Sequence, residues 1–131
     1  MPYLAPIDEM RFLLEDLFSI YDKSSNKKNL GLDSETVDAI LEEVSKLAEN
    51  SISSINMEAN EFPAYFEEGR VVLPASFYGA YSKIAKGGWV GTSGDPKYGG
   101  MGLPLILTTC VNEILSSGCL SLALNPLMTQ G

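Results

Sequence analysis

Between Val37 and Ile55 the apolar residues Val37, Ile40, Leu41, Val44, Leu47, Ala48, Ile52 and Ile55 recur at three- and four-residue intervals. That spacing sets them along one side of a helix of about six turns, where the two-residue alternation of a half-buried strand would scatter them over both faces. Asp33 or Ser34 can cap the first free amides, with Glu35 and Asp38 near the positive end of the dipole. Glu35, Asp38, Glu42, Glu43 and Glu49 fall mostly off the stripe and read as a solvated face rather than an acidic binding site. This helix is expected to be the longest element of the chain.

Other segments follow the same period. Met10, Leu13, Leu14, Leu17, Phe18 and Tyr21 predict an amphipathic helix over Asp8 to Tyr21, followed by the polar connection Asp22 to Gly31. The period breaks between Asn60 and Leu73, where Glu68-Gly69 reads as a turn and Arg70 to Leu73 as one arm of a small hairpin. Pro74 then introduces a helix carrying Phe77, Tyr78, Tyr81, Ile84 and Ala85 and stopping at Gly87-Gly88. Pro104 can start another through Ser117, with Leu107, Val111, Ile114 and Leu115 as core and Gly118 as its stop. Leu120 to Gln130 predicts a last helix whose residues Leu120, Leu122, Leu124, Leu127 and Met128 surround it. The rest of the chain is too short to cover such a helix on every side.

Composition narrows the chemistry. A length of 131 residues suits one domain with a single core. A net charge of -8, with Lys27-Lys28 the one adjacent basic pair, argues against a nucleic-acid partner, because that affinity rests on clustered cations neutralising phosphates. The sequence has no histidine, which excludes Ser-His-Asp and Cys-His catalysis and histidine metal sites. No metal site is expected. Cys110 and Cys119 are nine apart, a spacing of neither CxxC nor a disulfide framework, and read as packed reduced thiols. No apolar run reaches the roughly 20 residues of a membrane span. The acidic amino terminus is unlike a signal or transit peptide, so a cytoplasmic location is expected.

The segment "GGWVGTSGDPKYGGMGLP", Gly87 to Pro104, is dense in glycine but lacks the GxxxxGK[ST] order of a phosphate loop and the strand-turn-helix setting of a dinucleotide site. Its Gly99, Gly100 and Gly102 are expected to permit tight turns and Trp89 to anchor it in the core. Gly88-Trp89, Pro96, Tyr98-Gly99-Gly100, Gly102-Leu103, Glu113 and Gly131 together resemble the amino-terminal helical domain of flavin-dependent acyl-CoA dehydrogenases. Tyr3, Ala5-Pro6, Met10-Arg11-Phe12 and "EEGRVVLPASFYGAYSKIAKGGW" are similar to the 3-methylmercaptopropionyl-CoA dehydrogenase-like branch of that family. The resemblance covers nearly the whole chain.

It implies an all-α fold with at most one short β-hairpin, residues 1–131 forming the amino-terminal domain and 1–31 a branch-specific helical extension. The middle β domain and carboxy-terminal helical bundle of full-length members would be absent. In the family, a carboxylate of the carboxy-terminal domain removes the α proton of the acyl-CoA while hydride passes from the β carbon to FAD, and electrons leave to an electron-transferring flavoprotein. Neither that base nor the main FAD segments map onto this sequence, so no catalytic residue and no bound FAD are expected. Glu113 is assigned to a structural helix.

What the resemblance does assign is a wall of the acyl pocket, on the last helix, at Leu122, Ala123, Pro126 and Leu127, with Asn125-Pro126 as a kink. The apolar surface of the last helix is expected to drive self-association, and a homo-oligomer is expected. The alternative is a stand-alone helical interaction module using the same fold. Both leave an apolar patch around Leu120 to Met128.

Overall fold

The computed structural model describes residues 2–21 and 32–130; the connection Asp22 to Gly31, with Lys27-Lys28, and the terminal Gly131 lie outside them. The expected long helix forms as α2, Ser34–Leu47, and runs on through a π turn, Ala48–Ile52, and a 3-10 turn, Ser53–Ile55. Asp33 caps it, its carboxylate accepting from the Thr36 amide at 2.7 Å. Val37, Leu41, Val44, Ala48 and Ile52 are buried completely or almost so, while Ile40 and Leu47 are half-buried. The π turn has a reason in the spacing. Val44, Ala48 and Ile52 lie four apart, and a wider turn keeps four-residue steps from drifting off the core face.

Helix α3, Asn56–Glu61, continues the path to the hairpin of β1, Tyr65–Glu67, and β2, Arg70–Val72, with Tyr65 opposite Val72 and Glu67 opposite Arg70. Glu68 and Gly69 both have positive φ, the turn whose twist matches paired strands. The hairpin is where the sequence places it.

Helix α4, Ala75–Lys86, starts after Pro74 rather than on it, and its buried line is Phe77, Ala80 and Ile84. Of the residues expected at helical spacing, Tyr78 is 60% exposed and Ala85 is exposed, while Ala80, outside that set, faces inward. All satisfy helical spacing, and only the neighbour that covers the helix separates them. Helix α5, Leu105–Gly118, is shifted one residue from its expected bounds, starting after Pro104 and taking in Gly118, while α6, Leu120–Gln130, matches them, and Leu107, Val111, Ile114 and Leu115 form the middle of the core. α5 packs on both α2 and α6. Among the described residues no helix is long and apolar enough to cross a membrane.

The amino terminus departs most from expectation. Helix α1, Ile7–Phe12, passes into a π turn, Leu13–Leu17, and stops short of Tyr21, with Ser19 at positive φ. Met10 and Leu14 are buried, but Leu13, Leu17 and Phe18, expected in the same stripe, are 40%, 60% and 48% exposed. One neighbouring face covers one line of the stripe and leaves the rest outside.

Polar anchors hold this segment down. Tyr3 Oη donates to the Ile114 carbonyl at 3.1 Å, and the Ala5 amide donates to Glu49 Oε1 at 2.9 Å, an oxygen that also accepts from Ser45 Oγ. Arg11 Nε meets Asp38 at 2.6 Å and its Nη2 meets Glu42 at 3.2 Å, tying α1 to α2. Replacing Arg11 with glutamine is expected to cost less than about 1 kcal/mol, because these partners are solvent-accessible. Urea unfolding at low and high salt checks this: the difference from wild type should shrink as salt screens the pairs.

Candidate functional site

The glycine segment closes on itself. The amides of Met101, Gly102 and Leu103 donate to the carbonyls of Gly91, Gly94 and Thr92 at 2.8–2.9 Å, a stem beneath the 3-10 turns Trp89–Gly91 and Pro96–Tyr98. The amides of Gly94, Tyr98, Gly99 and Gly100 also end on carbonyls within the segment, and that of Lys97 on Asp95 Oδ1. Trp89 is buried as expected, and the fully buried Thr92 hydroxyl meets Gln130 Oε1 at 3.0 Å, joining the loop to the end of α6. Gly99 and Gly102 take positive φ, but Gly100 does not; its need for glycine comes from contact with Gly94. These amides are bonded within the segment and are not free to hold a ligand.

Concavity appears beside it, between α4 and α6. A cavity of about 260 Å³ is lined by Leu73, Phe77, Tyr78, Tyr81, Ser121, Leu122 and Asn125. A second hollow of about 270 Å³ shares Leu73, Phe77 and Ser121 and extends toward the base of the hairpin at Pro63 and Ala64. Phe77 and Leu122 are set by the core faces of α4 and α6, whereas Ser121 and Asn125 stand one turn apart on the exposed side of α6. Among the described residues no charged side chain lines either hollow. An apolar floor with a few uncharged hydrogen-bonding groups suits a neutral chain-like ligand.

Of the four residues assigned to the pocket from the sequence, Leu122 reaches this cavity while itself only 3% exposed. Ala123 and Pro126 are buried in the domain and line neither hollow, and Leu127 is half-buried. The helix runs through Pro126 to Gln130, leaving the Leu122 carbonyl without its i+4 donor. Sequence reasoning missed Ser121, Asn125 and the contribution of α4. The i, i+4 polar pair was the available signal, but nothing local places α4 opposite it.

The remaining reactive groups stand apart. Glu113 is exposed and, among the described residues, pairs with no cation. It lines a different hollow, beside α1, together with Cys110. Both cysteines are free, Cys119 buried and Cys110 half-buried, and burial followed by the Glu113 charge pushes the Cys110 thiol up, away from thiolate chemistry. Among the described residues no three metal-binding side chains come together.

The sequence profile described as "Acyl-CoA dehydrogenase, N-terminal domain" matches residues 34–131. The chain belongs to this family. The domain match begins at the first residue of α2, so the amino-terminal strap and α1 precede it. A 3-methylmercaptopropionyl-CoA dehydrogenase of Ruegeria pomeroyi is 30% identical over 131 residues, covering 100% of this chain and 22% of that relative. This dehydrogenase domain thus spans about a fifth of the length of the relative it matches, and the likeness includes the segment ahead of α2. The helical architecture with one hairpin agrees with the family's amino-terminal domain.

Proposed function

We propose that the chain acts as the amino-terminal domain of an FAD-dependent acyl-CoA dehydrogenase, which removes hydrogens from the α and β carbons of an acyl-CoA thioester. The family match carries this reading, and the uncharged groove between α4 and α6 supports a role in walling the acyl pocket, Leu122 supplying apolar surface there and Ser121 and Asn125 its rim. Leu127 and the exposed residues Leu120, Leu124 and Met128 extend that wall along α6. Ala123 and Pro126 contribute by holding α6 in place from within the core.

The chain by itself is inactive in this reading. In this reading the internally bonded amides of the glycine segment leave the FAD phosphates to other parts of the enzyme, and the proton acceptor lies outside this domain as well. The flavin, the α-proton base and the site that passes electrons to an electron-transferring flavoprotein belong to the middle and carboxy-terminal parts of the enzyme. We place the enzyme in the cytoplasm as a homo-oligomer.

Two measurements test the proposal. The 131-residue chain should show no acyl-CoA oxidation with a dye acceptor, and turnover would overturn its assigned dependence on the other domains. In the full-length enzyme, Asn125→Trp should fill the groove and raise KM for acyl-CoA about tenfold with little change in kcat, the pattern of lost uniform binding. An unchanged KM would remove the groove from the acyl pocket.

A further inference from the structure

The backbone of the glycine segment is used up in closing its own stem, but one side chain of the segment reaches out of it. Thr92 is fully buried, and its hydroxyl donates to Gln130 Oε1, on the last turn of α6, at 3.0 Å. The other end of the same amide, Nε2, donates to the Trp89 carbonyl at 3.4 Å. Both the acceptor and the donor of Gln130 are therefore spent on the stretch from Trp89 to Thr92. Thr92 is itself held in place: its carbonyl accepts from Leu103 at 2.8 Å, and the Gly102 amide bonds the Gly94 carbonyl beside it.

Helix α6 needs an anchor at this end. Pro126 has no amide hydrogen for the Leu122 carbonyl, so the helix is weakened in its middle. Ahead of that break Leu122 and Ala123 are buried in the core. Beyond it Leu127 is half-buried, Thr129 is exposed and Met128 is 78% exposed, so apolar burial fixes the second half far less than the first. A single turn is not held by its backbone bonds alone. Among the described residues, the side-chain hydrogen bonds that tie this turn to another element are the two at Gln130.

We propose, on the reading of α6 as a wall of the acyl pocket, that Thr92 and Gln130 are positioning residues for that wall. The glycine segment is the rigid socket in which the end of α6 is seated. With the clasp made, Leu127 and Met128 stay in line with Leu122 along the wall. With the hydroxyl removed, Gln130 Oε1 loses its donor and the turn after Pro126 moves about the proline, while Ser121, Leu122 and Asn125 ahead of it keep their places. Acyl-chain contact is lost, and the reacting carbons, which other parts of the enzyme hold, are untouched.

The test is Thr92→Val, which keeps the buried volume and removes the hydroxyl. In the full-length enzyme it should raise KM for acyl-CoA about fivefold with kcat changed by less than about twofold. Thr92→Ser restores the donor and should return KM to the wild-type value. In the 131-residue chain, Thr92→Val should speed amide hydrogen exchange about tenfold at Leu127 to Gln130 and leave Val111 to Leu115 of α5 as slow as before. Gln130→Ala breaks the same clasp from a half-buried side chain and should reproduce both effects, so it carries the test should a thermal melt show Thr92→Val unfolded.

Asn125→Trp separates this role from the reading beneath it. If Asn125→Trp raises KM and the clasp variants do not, the groove stays in the acyl pocket and the positioning role is overturned. If Asn125→Trp leaves KM unchanged, the wall reading falls and the proposal falls with it. Unchanged exchange at Leu127 to Gln130, exchange that rises equally along α5, or a raised KM that Thr92→Ser fails to restore would each overturn the proposal.

Discussion

Gly100→Ala is expected to be among the most damaging single-methyl additions in this domain. A Cβ built at Gly100 runs into the main chain of Gly94, its carbonyl oxygen foremost, and backbone cannot swing aside as the end of a side chain can. The Gly94 carbonyl also accepts the Gly102 amide at 2.8 Å, so pushing it away breaks the stem that holds the segment closed. Thr92, whose carbonyl accepts from Leu103, ties the same stem to Gln130 of α6, and the disturbance reaches the last helix. We expect a loss of about 3 kcal/mol, a fall in Tm on the order of 10 °C.

Gly99→Ala is the comparison. Gly99 has positive φ but nothing within 4 Å of an added Cβ, so it should lose about 1 kcal/mol, the backbone term alone. Thermal unfolding of the pair decides the matter. Equal losses would mean that close approach at Gly100 contributes nothing beyond backbone preference.

The second large effect is Ile114→Ala, expected at about 3–4 kcal/mol. Ile114 is fully buried on α5, the helix packed against both α2 and α6, and truncation leaves a cavity that three elements would have to close together. Leu17→Ala removes a leucine from what the sequence presents as an equally regular stripe, yet Leu17 is 60% exposed and the loss should stay below about 0.5 kcal/mol. Urea unfolding with an unchanged m value reads both as changes of stability. A costly Leu17→Ala would mean that this face is already covered by the chain itself.

Leu17 and Ile114 mark the boundary of what periodicity can say. Both obey helical spacing, because spacing is a property of the helix they lie on. Their burial depends on the helices that come to lie beside them. The same holds on α4, where Tyr78, Ala80 and Ala85 all suit a helix but only Ala80 meets the core. Asp33, Pro104, Gly118 and the Glu68-Gly69 turn were legible because caps, stops and turns act through the nearest few residues.

The groove between α4 and α6 was only half legible. Resemblance drew attention to α6 and to Leu122, while Ser121 and Asn125 acquire meaning from Tyr78 and Tyr81, some forty residues earlier in the chain. The π turn in α2 lay in the four-residue steps of Val44, Ala48 and Ile52 but was read through as an ordinary helix.

The amino-acid sequence by itself determined the helical class, the positions of most helix ends, the hairpin and membership in the acyl-CoA dehydrogenase family. These rest on local backbone preference, on repeated apolar spacing and on a glycine-rich segment that few folds require. Tertiary structure alone decided which side of each stripe is covered, why Gly100 admits no side chain, and where apolar surface is left open beside α1 and α6. Those outcomes are set by contacts between residues far apart in the chain, for which local spacing carries no information.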